Sequence, residues 1–223
     1  MNSLATPLFH LDGRSFKKGR HHVLHDIRLT IQPGEKVALI GPSGAGKSSL
    51  LEWLYQQQAS QIALCPQDNG LVDILSVYQN IYMGGLERHS AFYNLTNLIK
   101  ARKADKEEIQ HLAETLGIGD KLWHSMDKLS GGQRQRVAIG RALYRKKSVF
   151  FGDEPVSALD PEQARHILKY LISEHDTLVV SLHNRRLALD YFDRIIALKG
   201  GHISYDGPVV ELSAHQLDRL YVQ

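Results

Sequence analysis

The stretch Val37-Ala38-Leu39-Ile40-Gly41-Pro42-Ser43-Gly44-Ala45-Gly46-Lys47-Ser48-Ser49-Leu50-Leu51 decides the reading of this chain. Four consecutive apolar residues predict a buried strand, and Ser49-Leu50-Leu51 predicts the beginning of an apolar helix. Between them, residues 41–48 satisfy G-x-x-x-x-G-K-[ST] at every required position. Glycines at 41, 44 and 46 let the backbone curl and turn its N–H groups inward, toward phosphate oxygens. The helix N-terminus adds its positive dipole end, Lys47 is placed to reach the β- and γ-phosphates, and the Ser48 hydroxyl is placed to ligate Mg²⁺. The nucleotide-binding set is therefore Gly41, Pro42, Ser43, Gly44, Ala45, Gly46, Lys47, Ser48 and Ser49.

Outward from this loop, apolar runs at 148–151, 178–182 and 194–198 alternate with helical patterns. That order predicts an α/β fold with a largely parallel sheet. Residues 24–31 alternate apolar and polar, as a half-exposed antiparallel strand does, and the run 62–65 places Cys65 in a buried strand. From about 70 to 128 the pattern turns helical. Ser76 predicts a helix through Ile81 that ends at Gly84-Gly85. Asp105 with Glu108 predicts a capping-box start, after which Ile109, Leu112 and Leu116 form one stripe. Asp160-Pro161 predicts a helix N-cap followed by proline at the first helical position.

Two further motifs carry chemistry. Val149-Phe150-Phe151-Gly152-Asp153-Glu154 brings two carboxylates to the exit of a strand, where open α/β sheets hold their ligands. Asp153 suits Mg²⁺, directly or through water, and Glu154 suits the base that polarises an attacking water. Alone, such a pair also starts turns. Leu129-Ser130-Gly131-Gly132-Gln133 opens a helix over 134–144, and its two glycines at a helix start make a second anion cradle in the same chain.

The chain has 223 residues, 43% of them hydrophobic and 23% charged, enough for one domain with an insertion. The 27 Lys and Arg are scattered and nearly balanced by 24 acids, which argues against a nucleic-acid partner. The one basic patch, Lys17, Lys18, Arg20, His21 and His22, reads as a solvated loop. A single cysteine excludes an intramolecular disulfide and fits a reducing compartment. Residues 1–11 lack the layout of a secretion signal, and no apolar run approaches the roughly 20 residues that span a bilayer.

The phosphate loop, the Asp153-Glu154 pair and the Leu129–Gln133 segment together resemble the nucleotide-binding subunit of ABC transporters, over nearly the whole chain. The resemblance implies a P-loop NTPase (RecA-like) α/β core, residues 1–69 and 129–223, with an antiparallel β edge and an inserted helical subdomain, residues 70–128. It implies an ATP hydrolase using Mg²⁺ held by Ser48, Gln67 and Asp153, partly through water. Each ATP would lie between the phosphate loop of one copy and Ser130, Gly131, Gly132 and Gln133 of a second copy, in a head-to-tail homodimer. Gln67 matches the Q-loop glutamine, Ser157-Ala158-Leu159-Asp160 the D-loop, and His183 the switch histidine that contacts the γ-phosphate. Phe16 occupies the place of the aromatic that stacks on adenine, with a core aromatic as the alternative.

The family's partners are an integral membrane permease and, indirectly, a solute-binding protein. Its location is the cytoplasm, peripheral on the cytoplasmic face of the inner membrane. Residues 70–77 with Asn80 and Gly85-Leu86, and Asp193-Arg194-Ile195 with residues 204–208, resemble phosphonate importer subunits. Ile74, Leu75, Val77 and Ile81 are expected to line a permease groove in part, with packing inside the insertion as the alternative. Two departures stand out: only about 20 residues separate Lys47 from Gln67, and Gly152 stands where the family more often has a larger apolar residue. Two other readings remain: a DNA- or ribosome-acting ABC ATPase, against which the lack of heptads and the room for one such domain argue, and a non-hydrolysing regulatory subunit, against which Lys47, Glu154 and His183 argue.

Overall fold

Strand alternation organises the molecule. In the computed structural model, which describes residues 6–212, strand β3 (Lys36–Ile40) sends Val37 and Leu39 to one face of its sheet and Ala38 and Ile40 to the other. Strands β5 (Val149–Asp153), β6 (Thr177–Ser181) and β7 (Arg194–Lys199) do the same: Phe151, Val179 and Ile196 join one core, Phe150, Val180 and Ile195 the other. Near-continuous apolar strands are what a parallel sheet covered on both faces requires.

Six strands form that sheet in the order β4-β5-β6-β3-β7-β8, with β4 spanning Ile62–Cys65 and β8 spanning His202–Pro208. All neighbours are parallel except β7 and β8. A separate antiparallel pair, β1 (Phe9–Lys18) and β2 (His21–Ile31), packs with helix α1 (Lys47–Gln58) on one face. Helices α2 (Val77–Tyr82), α4 (Lys103–Thr115), α5 (Gly131–Leu143), α6 (Pro161–Glu174) and α7 (Arg185–Tyr191) bury apolar residues in the core on the other, while α3 (Ala91–Ile99) lies beside α2. Arg194 latches this frame, donating to both oxygens of Asp206 at 2.7 and 2.8 Å, to Glu35 at 2.8 Å and to the Thr30 carbonyl at 2.8 Å. The expected P-loop NTPase layering, with an antiparallel β edge, is present.

The strands expected at 37–40, 148–151, 178–182 and 194–198 fall on β3, β5, β6 and β7 to within two residues at each end, and the alternating 24–31 segment lies inside β2. Ser76 caps α2 in a complete capping box with Gln79. Asp105 does not start a helix. α4 begins at Lys103 after Arg102, and Asp105 is its third residue. An acid in the first turn is favoured by the helix dipole without being the cap. Here the buried carboxylate accepts hydrogen bonds from Tyr93 (2.8 Å) and Tyr144 (2.9 Å), tying α3 and α4 to the end of α5.

Only part of the expected apolar groove-lining set faces outward. Val77 and Ile81 are fully buried, Leu75 is half-buried and Ile74 is 86% exposed. α2 and the turn that follows it, Met83–Arg88, instead lie close against α5. A Cβ at Gly84 would sit 1.9 Å from the Arg141 carbonyl oxygen, so only glycine permits this approach.

Candidate functional site

The β3–α1 loop is shaped by backbone constraints that the sequence motif encodes. Gly41 has φ 139°, and a Cβ there would lie 2.2 Å from the Leu198 carbonyl oxygen. Gly46, at φ 107°, caps α1 without any side-chain hydrogen bond. The first N–H groups of α1 therefore have no capping side chain, and with the dipole end they form an anion site. The Lys47 side chain is buried and donates to the Gly41 carbonyl at 2.8 Å and the Pro42 carbonyl at 3.0 Å. Burial lowers its pKa from the ordinary lysine range, while Glu154 and Asp153 pull the other way. The ammonium thus sits between the loop and the two carboxylates.

β5 delivers those carboxylates. Asp153 is buried and accepts a 2.6 Å hydrogen bond from Ser181 Oγ; the same hydroxyl accepts the Glu154 N–H at 2.9 Å. Glu154 adopts φ 54°, an uncommon left-handed conformation for a residue with a side chain. Its Oε1 lies 2.5 Å from His183 Nε2, one residue beyond Leu182 at the exit of β6. Gly152 has a packing reason: a Cβ there would meet Pro155 Cγ at 2.7 Å and Phe150 Cε1 at 2.9 Å. A cleft of about 570 Å³ is lined by Ser48, Gln67 and Asp153 together with Lys18 and Glu52, which are joined by a 2.8 Å ion pair. Hydroxyl, amide and carboxylate oxygens form a donor set suited to a small hard cation that keeps part of its water.

The second cradle lies elsewhere. Ser130 caps α5 in a capping box, its Oγ accepting from the Gln133 N–H at 3.4 Å while Gln133 Oε1 accepts from the Ser130 N–H at 2.9 Å. Gly131 faces open space, and a Cβ on Gly132 would come 2.9 Å from the Ala158 carbonyl oxygen. The segment abuts the turn at 157–160, and none of its residues lines the cleft beside Ser48 and Gln67.

Comparison with known proteins agrees with the fold. Residues 24–157 match the ABC transporter family. The chain is 37% identical to phosphonates import ATP-binding protein PhnC 2 of Pseudomonas aeruginosa, an alignment covering 91% of this chain and 84% of the relative. It is likewise 37% identical to the PhnC protein of Stutzerimonas stutzeri over 89% of this chain and 83% of the relative. The chain belongs to the ABC transporter family. It is an ATP-binding, ATP-hydrolysing subunit of that family. Its fold superposes on a dimeric post-hydrolysis structure of the ATP-binding cassette MJ0796 bound to ADP and Pi, with a TM-score of 0.71, 25% identity and 90% and 98% of the two chains covered. A bacterial Atm1-family exporter with ATP bound shares the fold, with a TM-score of 0.75 at 24% identity over 95% of this chain and 41% of that one.

Some positions inside the alignment have no counterpart in this chain. The first alignment runs over 241 positions, whereas 91% of 223 residues is about 203, so about 38 positions have no residue here. The link from α1 to β4 is one turn, Ala59–Gln61.

Of the residues named from the sequence, the structure gathers Lys47, Ser48, Gln67, Asp153, Glu154 and His183 around the phosphate loop. Phe16 lies on β1 and stacks on Trp53 of α1, ring centroids 5.5 Å apart, so one ring face is covered. Asp160 caps α6, accepting from the Glu162 and Gln163 N–H groups at 3.1 and 3.0 Å. Lys18 of the basic patch lines the cleft. The sequence reading missed Ser181, Gln135 and Arg141. A polar residue ending a buried strand, and polar residues on the buried face of a helix, are the signals that could have found them. Arg141 donates to the Asn69 and Gly70 carbonyls at 2.5 and 2.6 Å, fixing the turn just after Gln67 to α5.

Proposed function

We propose that two copies of this subunit close head to tail on two ATP–Mg²⁺ and that hydrolysis reopens them, driving uptake of phosphonates or a related phosphorus oxyanion through a separate permease. The observation that carries this reading is the position of the second cradle. Ser130, Gly131 and Gly132 present a helix start to solvent, outside the cleft of their own phosphate loop. One nucleotide meets both cradles only when a second chain supplies one of them, and two-fold symmetry then yields two equal sites. The dimeric state named for MJ0796 supports an assembly of two chains.

In this reading Lys47 and the free N–H groups of α1 hold the phosphates, and Ser48, Asp153 and Gln67 hold Mg²⁺, partly through water. Glu154 orients the attacking water, His183 faces the γ-phosphate, and Phe16 offers its uncovered face to adenine. Asp160 serves the D-loop in addition to capping α6. The cation supplies charge neutralisation on the phosphate oxygens.

Residues 70–128 act as the helical subdomain that meets the permease. A groove of about 430 Å³ runs along its seam with the core, between Leu64 and Pro66 on one side and Met83 and Leu86 on the other, with Arg141 and Arg145 on α5 and just past it. A permease helix fits there better than against Asp73, whose carboxylate is engaged by Arg134 at 2.6 Å. No helix among the described residues is long and apolar enough to cross a membrane. The permease therefore brings the subunit to the cytoplasmic face of the membrane, and a solute-binding protein supplies the cargo. The phosphonate assignment is supported by the names of the relatives.

The test mixes a Lys47→Ala chain with a Ser130→Arg chain. Neither alone has a working site, and each mixed dimer keeps one composite site, so ATP turnover returns in part on mixing. Mixed dimers that form without recovered turnover would show that Ser130 does not act on the partner's nucleotide.

A further inference from the structure

We propose that Gln135 is a positioning residue for hydrolysis, holding the left-handed backbone of Glu154 so that its carboxylate stays poised beside the phosphate loop. The proposal rests on Glu154 being the base.

α5 turns an otherwise apolar face toward the core, with Val137, Ala138, Ile139 and Ala142 buried. Gln135 is 5% exposed on the same helix and is its one buried side chain with hydrogen-bonding atoms. A buried amide is costly unless each of its polar atoms is partnered. This one is. Nε2 donates to the Glu154 carbonyl at 2.8 Å and to Ser157 Oγ at 3.3 Å, and Oε1 accepts the Ala158 N–H at 2.8 Å. The partners fix the orientation of the amide, since only its nitrogen can serve two oxygens and only its oxygen can serve an N–H.

All three partners lie on the turn from 154 to 158, whose first residue is in the strained conformation. Such conformations persist only where the surroundings over-determine them. The Glu154 peptide groups are held from both sides: Ser181 Oγ takes the N–H at 2.9 Å, while Gln135 Nε2 and Ser157 Oγ (3.0 Å) donate to the C=O. Remove Gln135 and the carbonyl keeps only Ser157, whose Oγ and backbone N–H (3.2 Å) belong to the same turn and move with it. The carbonyl's anchor from outside the turn is then lost, and Ser181 alone holds the Glu154 peptide groups from another element. Gln135 does not line the cleft that holds Ser48, Gln67 and Asp153. It acts through Glu154.

The consequence is kinetic. A base displaced by an ångström loses roughly a hundredfold in rate, whereas the phosphate loop, built on β3 and α1, has no bond to Gln135 among those described. Replacing Gln135 should therefore lower kcat and leave the KM for ATP and the binding of a fluorescent ATP analogue unchanged.

Two substitutions separate positioning from mere support of the fold. Gln135→Met matches the length and removes all three hydrogen bonds. Gln135→Glu keeps an acceptor for the Ala158 N–H, but its ionised carboxylate has no proton for the Glu154 carbonyl; on acidification the protonated acid regains that donor. The expected results are a kcat at least tenfold lower for Gln135→Met at unchanged KM, and a ratio of Gln135→Glu to parental kcat that climbs as pH falls. Parental kcat in Gln135→Met would overturn the proposal, as would a raised KM with kcat intact. Should Gln135→Met fail to fold, the pH series on Gln135→Glu decides, and a flat ratio refutes the donor role. Glu154→Gln is measured alongside. Turnover at the parental rate in that variant would remove the base assignment beneath the proposal, whereas an inactive Glu154→Gln with an unaffected Gln135→Met overturns the positioning role alone.

Discussion

Ser181 offers the sharpest test of how the strand ends are held. Its hydroxyl is fully buried and does two things at once, accepting the Glu154 N–H at 2.9 Å and donating to Asp153 Oδ1 at 2.6 Å. Ser181→Ala strips both. An orphaned, partly buried N–H costs about 1–3 kcal/mol, and a lost hydrogen bond to a charged carboxylate about 1.5–3 kcal/mol. The two overlap in one group, and Asp153 keeps 8% of its surface in contact with water that can replace part of the loss. We therefore expect about 3 kcal/mol of destabilisation. For a chain of this size each kcal/mol moves Tm by about 2–4 °C, so the melting temperature should fall by about 6–12 °C. Circular dichroism melts of the two proteins measure it, with Ser181→Cys, which keeps a weak donor, falling between them. Turnover should drop as well, because the Glu154 peptide would be held only through its carbonyl. A Tm shift below about 3 °C, with turnover intact, would refute the idea that this hydroxyl fixes the two carboxylates.

Two other outcomes follow from buried titratable groups. Burial pushes the Cys65 thiol up to about 12 against the small opposing pull of Arg141, so almost no thiolate exists near neutrality. Iodoacetamide at pH 8 should leave the folded protein unlabelled and modify it once guanidinium unfolds it; equal rates in both states would contradict the burial. His175 is buried against Phe150 with Nδ1 3.0 Å from the Leu171 carbonyl, and burial, with Lys36 in support, lowers its pKa despite that hydrogen bond and Glu174. The unfolded chain then takes up the proton first, so stability falls as pH drops below about 6.5 and levels off below the folded-state pKa. Urea midpoints between pH 7 and pH 5 should fall less steeply for His175→Leu than for the parent, and parallel curves would exclude His175 as a source of the acid sensitivity.

What the sequence made legible divides along contiguity. The phosphate loop, the Asp153-Glu154 pair and the Ser130–Gln133 helix start are local: their chemistry needs neighbouring residues at fixed spacing, and that spacing survives as a string. Gln135 and Ser181 are different. Gln135 matters because it meets residues 19 to 23 positions away, and Ser181 because β5 and β6 run parallel in a register that sets it opposite Asp153. Nothing local marks either partner. β1 escaped for a related reason, since only Phe9 and Leu11 alternate inward before four exposed residues, 12–15, interrupt the pattern. Asp105 misled because an acid followed three residues later by Glu108 fits a cap and an interior first-turn position equally well. Two tyrosines in other helices decide between them, and they are invisible to the local pattern.

The shortened link between α1 and β4 can be weighed against what it must support. The resemblance implies extra strands there, resting on the main sheet. In this chain Leu24, Ile27, Leu29 and Ile31 of β2 pack with Phe9 and Leu11 of β1 into the same core as Leu39, Phe151 and Ile196 of the main sheet. Both strands are therefore anchored by burial, and the pair does not need a third strand to hide its apolar side. Side-chain ties replace the missing connection: Gln58 at the end of α1 donates to the Leu8 carbonyl at 2.5 Å, Trp53 stacks on Phe16, and Lys18 pairs with Glu52. All three join α1 to β1 or to the residue just before it. The groups proposed to face phosphate come from the β3–α1 loop and from just beyond the ends of β4, β5 and β6, none of which lies inside the link. A short link there bears on the support of α1 and not on the groups proposed to meet phosphate. The exposed Lys18–Glu52 pair contributes little by itself, so it is the Phe16–Trp53 stack and the buried face of β1 that keep α1, and with it the phosphate loop, in register with the sheet.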